Sequence, residues 1–166
     1  ANATDDKTRA YYGEVLPNPS FEVFPISEVA EIGRPLGIPL IVDNTAAPVI
    51  CKPFDHGAAV LIHSTTKFIG GHGTSIGGII VDSGNFDWEA FPERQPALNN
   101  PDPSYGGAIW TEAVKPLGPI AYILPSKCSL VESIATFDEA DIFDTIPKNQ
   151  LEVSHSPCWK AIITPA

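Results

Sequence analysis

Leu40-Ile41-Val42-Asp43 and Ala59-Val60-Leu61-Ile62-His63 are short runs that stay apolar almost to their last residue, and they constrain the fold more than any other part of the chain. A strand exposed on one face alternates apolar with polar residues; a strand of a parallel sheet, covered on both faces, does not. Gly78-Ile79-Ile80-Val81-Asp82 is a third run of this kind, and Tyr11 to Leu16 suits a further strand leading into a turn at Asn18. Between them, Ile26, Val29 and Ala30, with Ile32 on the flank, recur at helical spacing, which predicts a helix over 26–32 ended by the Gly33–Gly37 segment. Ala108 to Lys115 reads as a later helix, with Pro116 and Pro119 blocking any extension. Strand–helix–strand alternation predicts an α/β fold: a mostly parallel sheet with flanking helices and ligand groups near the carboxyl ends of the strands.

Polar residues follow those strands in a telling order. The first run ends in Asp43-Asn44-Thr45, and the second leads into Ser64-Thr65-Thr66-Lys67 and the glycine-rich turn Gly70-Gly71-His72-Gly73. An amine, neutral hydroxyls and a strand-terminal carboxylate are what a protein needs to hold pyridoxal phosphate (PLP). The amine bonds the cofactor's aldehyde, Ser64 and Thr66 offer donors to the phosphate, and Asp43 keeps the pyridine nitrogen protonated. At ~4 Å and an effective dielectric near 20, such an ion pair attracts by roughly 4 kcal/mol. Each signal has a plainer reading: a lysine in a Ser/Thr-rich loop is ordinarily a solvated lysine, and an aspartate at a strand end ordinarily caps a turn. It is their sequence order, strand by strand, that favours the cofactor.

Other chemistry is poorly provided for. The net charge is −10, from 20 acidic and 10 basic residues, and no Lys/Arg cluster offers a surface to nucleic acid or an anionic membrane. No apolar run approaches the roughly 20 residues of a membrane span. His56, His63 and His72 with Asp55 lack the helical spacing of a metal site, so no metal is expected. Lys67 precedes the glycines, the reverse of the order in a nucleotide-phosphate loop. Cys51, Cys128 and Cys158 show no Cys-x-x-Cys spacing and imply a reduced, cytoplasmic setting. Cys51 is expected to be a small core residue, and Trp88 and Trp110 are expected to pack.

Val42-Asp43-Asn44-Thr45 and Ser64-Thr65-Thr66-Lys67 give the chain a resemblance to the Cys/Met-metabolism (trans-sulfuration) family of PLP-dependent enzymes, running from about Arg9 to about Leu124. Gly70 to Gly78, Gly84-Asn85-Phe86-Asp87-Trp88 and Pro101-Asp102-Pro103-Ser104-Tyr105 are most similar to the sulfhydrylase branch of that family. The resemblance implies the large PLP-binding domain of the aspartate-aminotransferase-like architecture (fold type I). It implies Lys67 as the Schiff-base lysine, Asp43 as the pyridine-nitrogen partner, Ser64 and Thr66 as phosphate ligands, and Asn18 as a contact of the phenolic oxygen. The activity implied is a transferase γ-replacement in which O-acetylhomoserine and sulfide give homocysteine and acetate, in a cytoplasmic homotetramer. Cystathionine synthase or lyase chemistry, or an inactive fragment acting only through subunit association, are the alternatives.

Two residues depart from the family pattern. Pro17 stands before Asn18, where a flexible residue is usual, and Gly106 follows Tyr105 in place of a histidine. The resemblance also implies a parent more than twice as long, with a stacking aromatic and a glycine-rich phosphate turn upstream and a carboxylate-binding arginine downstream. Residues 1–125 are therefore expected to form part of a PLP-binding domain. Residues 126–166, with the acidic and aromatic stretch Phe137 to Asp144, are expected to be a divergent tail of no assigned role.

Overall fold

The computed structural model describes residues 4–117 and 160–163. Five strands form one sheet in sequence order: β1 (Tyr11–Glu14), β2 (Leu40–Asp43), β3 (Val60–Ser64), β4 (Gly78–Asp82) and β5 (Lys160–Ile163). The pairings β1–β2, β2–β3 and β4–β5 are parallel, and β3–β4 is antiparallel. This is the mostly parallel α/β sheet that the apolar runs predict, and β2 and β4 span the predicted residues.

Strands β2 and β3 are apolar from Leu40 to Val42 and from Val60 to Ile62 because they are covered on both faces there. Ile41, Val60, Ile62 and Ile80 pack on one side with Phe86, Trp88, Leu98, Trp110 and Val114. Leu40, Val42 and Leu61 pack on the other with Val15, Ile26, Ala30, Ala47 and Ala58. Each large aliphatic side chain among these contributes roughly 1.5–3 kcal/mol relative to exposure. Trp88 and Trp110 thus belong to the core; Cys51 is only half-buried, packed at the edge of the second cluster.

Helix α1 (Ile26–Gly33) crosses from β1 to β2, burying Ile26, Ala30 and Gly33 while Ile32 stays exposed. A 3-10 turn, Arg34–Leu36, extends it until Gly37 takes φ 68°. Only glycine serves there: besides the left-handed backbone, a β-carbon would lie 2.2 Å from the Phe91 ring.

The helix predicted over 108–115 is shorter. Helix α2 (Pro96–Asn99) precedes it, and α3 itself covers only Trp110–Ala113, followed by a 3-10 turn at Lys115–Leu117. The Ala108 carbonyl is taken by the N–H of Asp102 (2.8 Å), and Ile109 is extended, so the helix cannot begin earlier. Pro116 has no N–H to donate to the Glu112 carbonyl, so the α-helical ladder does not run on past this point. Most of the expected tail, 126–159 and 164–166, lies outside the described residues; 160–163 contribute β5.

Asp82 closes β4, fully buried, its Oδ1 accepting from the N–H of Gly84 (2.9 Å). Burial pushes its carboxyl up from 3.8 to about 6, with the Gly84 N–H partly opposing. The folded state therefore holds a proton there that the unfolded chain has released. Stability from this group falls as pH rises from about 4 to about 6, by roughly 3 kcal/mol, and is flat above. Asp82→Asn stays neutral, so denaturant midpoints of the two proteins should coincide near pH 4 and separate by pH 7, the variant being more stable. Parallel profiles would show that Asp82 ionises in the folded state without penalty.

Candidate active site

Parallel strands leave the sheet at the same edge, which collects the five residues singled out from sequence. Glu14 of β1 pairs with Asp43 of β2, and Asp43 pairs with Ile62 of β3, so the three chains exit nearly level. Asn18 lies in the turn after β1, Asp43 ends β2, Ser64 ends β3, and Thr66 and Lys67 occupy the next turn. Because β4 runs antiparallel, its first residue, Gly78, pairs with Ser64 at this same edge.

Asp43 is half-buried and held asymmetrically. Its Oδ1 accepts from the N–H of Thr45 at 2.9 Å, whereas its Oδ2 receives, among the described residues, only a long 3.4 Å contact from the Tyr12 hydroxyl. A charge-assisted bond of full strength is shorter than that, so Oδ2 keeps capacity for a cationic donor.

The segment Thr65–Ile69 is a π-type turn, with Gly70 N–H donating to the Thr65 carbonyl and Gly71 N–H to the Lys67 carbonyl, both at 2.8 Å. A β-carbon on Gly70 would sit 2.5 Å from the Thr65 oxygen, which explains glycine at that position. Lys67 is exposed, and its Nζ makes no ion pair or hydrogen bond among the described residues. Lys115, by contrast, is engaged by Glu112 and Glu89.

The two predicted hydroxyl ligands differ. Ser64 Oγ has no hydrogen bond among the described residues, while Ser64 N–H donates to Thr45 Oγ1 at 2.7 Å. Thr66 Oγ1 accepts from Gly77 N–H at 2.9 Å and donates to the Gly77 carbonyl at 3.4 Å, closing the base of the lysine turn. Asn18 is exposed, on a cis Asn18–Pro19 bond, and makes no hydrogen bond to the other four among the described residues. The sequence reading passed over Tyr12 and Thr45 as site residues. Asp-x-Thr after a strand is the pattern of an Asx turn, in which the acid accepts from the N–H two residues on, and that signal could have found Thr45.

His63 lies buried beside this edge. Burial holds its imidazole below the ordinary value, opposed by the Asp43 carboxylate and the Asn44 backbone, so it is neutral at pH 7. Its Nδ1 and the Oδ1 of buried Asn44 both lack partners among the described residues. His56 and His72 are occupied elsewhere, by Ser27 and Thr74.

The pattern of a family described as "Cys/Met metabolism PLP-dependent enzyme" matches residues 1–106, the stretch that contains every residue of this edge. The chain belongs to that family. A sulfhydrylase of Fusarium oxysporum is 45% identical over 136 residues, covering 81% of this chain and 31% of the relative. An O-acetyl-L-homoserine sulfhydrylase of Leptospira meyeri is 43% identical over 131 residues, covering 75% and 29%. The chain thus spans about three tenths of the length of these curated relatives. A crystal structure described as an O-acetylhomoserine (thiol)-lyase of Campylobacter jejuni, containing N′-pyridoxyl-lysine-5′-monophosphate, aligns with TM-score 0.57 at 34% identity, covering 64% of this chain and 27% of that one. The fold is accordingly that of fold type I PLP enzymes, and the family's cofactor is PLP.

The residues present fit that cofactor. Lys67 Nζ, Asp43 Oδ2 and Ser64 Oγ are one amine, one anionic acceptor and one neutral donor, all with spare capacity on one edge. Thr66 fits less directly, since its proton must leave Gly77 before it can serve a phosphate. The commitment to Gly77 should be measurable on its own. Thr66→Val leaves Gly77 N–H without its acceptor and should cost about 1–3 kcal/mol in denaturant unfolding, whereas Thr66→Ser should cost far less. Equal stability of the Val and Ser variants would remove the structural role of the hydroxyl.

Proposed function

We propose that this chain carries the cofactor-binding edge of a PLP-dependent O-acetylhomoserine sulfhydrylase, a transferase in which O-acetylhomoserine and sulfide give homocysteine and acetate. The observation that carries the reading is the convergence of an unengaged lysine, a half-committed aspartate and an unengaged serine hydroxyl at the carboxyl edge of a parallel sheet. The names of the relatives support the choice of substrates. A cytoplasmic homotetramer completes the proposal.

PLP, when bound, supplies the electron sink that makes an amino-acid Cα acidic. Lys67 would hold the cofactor covalently through Nζ, then act as the base that takes the Cα proton and returns protons later in the reaction. Its turn leaves it exposed and unpaired, so no salt bridge has to break before it acts. Asp43 Oδ2 would hold the proton on the pyridine nitrogen, with Oδ1 pinned by Thr45 so that the carboxylate cannot rotate freely. Ser64 Oγ would donate to the phosphate, joined by Thr66 on release of its weak bond to Gly77. Asn18 would reach the phenolic oxygen from the β1 turn.

Borohydride reduction of the PLP-loaded protein followed by peptide mapping should place the pyridoxyl mass on Lys67. Label on Lys52 or Lys115 instead would overturn the assignment. Asp43→Asn keeps the shape of the side chain and removes the charge. Breaking a buried ion pair costs on the order of 3–5 kcal/mol, so turnover should fall roughly a hundredfold or more. Near-normal turnover would mean that another group protonates the ring.

A further inference from the structure

Among the described residues, Thr45 joins by hydrogen bonds the two strand ends that the proposed function uses. Its N–H donates to Asp43 Oδ1 at 2.9 Å, and its Oγ1 accepts from Ser64 N–H at 2.7 Å. The second bond replaces a rung of the sheet. Asn44 N–H donates to the Ile62 carbonyl at 2.9 Å, continuing the β2–β3 ladder one step past Asp43. The chain then turns at Thr45, and the next rung, the N–H of Ser64, is met by a side-chain oxygen. Thr45 is half-buried, so water is a poor substitute for that acceptor.

We propose that Thr45 is a positioning residue that locks the pyridine-nitrogen carboxylate and the phosphate-binding serine into one rigid unit. This rests on the cofactor assignment above and adds to it a mechanical link between two ligand groups that bind opposite parts of the same molecule. With the link in place, Asp43 Oδ1 is held, leaving Oδ2 for the ring nitrogen, while the start of the Ser64–Lys67 turn is fixed against the elbow of β2. Without it, the two groups move independently and the cofactor is held at each end by parts that no longer share a register. The chemistry asks for a hydroxyl at the β-carbon: serine supplies it, and valine matches threonine in shape without it.

Three versions of the full chain test this: wild type, Thr45→Ser and Thr45→Val. Amide hydrogen exchange without cofactor should show Ser64 N–H protected in wild type and Thr45→Ser and exchanging at least about tenfold faster in Thr45→Val. PLP titration, followed by the visible absorption of the bound cofactor and its pH dependence, should show about fivefold to tenfold weaker binding by Thr45→Val and an altered pH profile, both restored in Thr45→Ser. Unchanged exchange at Ser64, or wild-type PLP affinity and spectrum in Thr45→Val, would overturn the proposal while leaving Lys67 and Asp43 in their roles. Wild-type protein that takes up no PLP on Lys67 would overturn the cofactor assignment and this proposal together.

Discussion

Parallel pairing of β2 with β3 is the constraint on which the site depends. It requires both strands to be apolar on both faces, and Leu40 to Val42 and Val60 to Ile62 are accordingly almost solvent-free. It also sends both chains out of the sheet at the same edge, so residues distant in sequence become neighbours without any dedicated long-range contact. Asp43 and Ser64 are the first residues past the fully buried part of their strands. Their half-burial is what such chemistry needs: enough shielding to strengthen an ion pair, and enough opening to admit a ligand.

The electrostatics at this edge follow from the same geometry. Asp43 is the carboxylate that His63 senses, yet burial outweighs that attraction and keeps the imidazole neutral. A neutral His63 leaves the carboxylate of Asp43 uncompensated from that side. An aspartate already satisfied by an imidazolium would offer less to a pyridine nitrogen. The buried histidine therefore shapes this edge by staying uncharged, whereas Asp82, at the far end of β4, holds its proton up to about pH 6 through burial of its own.

Much of this was legible in the sequence because the relevant signals are local. Continuous apolar runs marked β2, β3 and β4, and the Ile26–Val29–Ala30 spacing marked α1 to within a residue. The helix expected at 108–115 was overestimated because pattern alone cannot show that Asp102 claims the Ala108 carbonyl, a contact settled by the Gly106–Gly107 turn with φ of 65° and 84°. Cys51 was read as core and lies at its margin, since hydrophobic character fixes preference and not depth. The resemblance to a PLP family was readable from two four-residue motifs, but the bonds that make those motifs a unit were not. Neither the Thr45–Ser64 bond nor the Tyr12–Asp43 contact has a sequence period, for both cross between strands.

Ser64 and Thr66 show how far residue type alone can carry a functional reading. Both are hydroxyls flanking the lysine turn, and the sequence gives no reason to separate them. In the folded chain, one has an unengaged hydroxyl and a backbone N–H fixed by Thr45, while the other spends its hydroxyl on Gly77. A neutral hydrogen bond is worth about 1 kcal/mol net, and the 3.4 Å donor contact of Thr66 is weaker than that norm. A phosphate, as a charged acceptor, offers roughly twice as much. The balance thus favours an O–H of Thr66 that turns from the Gly77 carbonyl to a bound anion, while the 2.9 Å bond accepted from Gly77 N–H persists. In the proposed role Thr66 would both hold the turn through its acceptor lone pair and donate outward through its O–H. Serine at position 64 would need no such exchange in the proposed role, because Thr45 Oγ1 already meets its backbone N–H and its hydroxyl has no partner among the described residues.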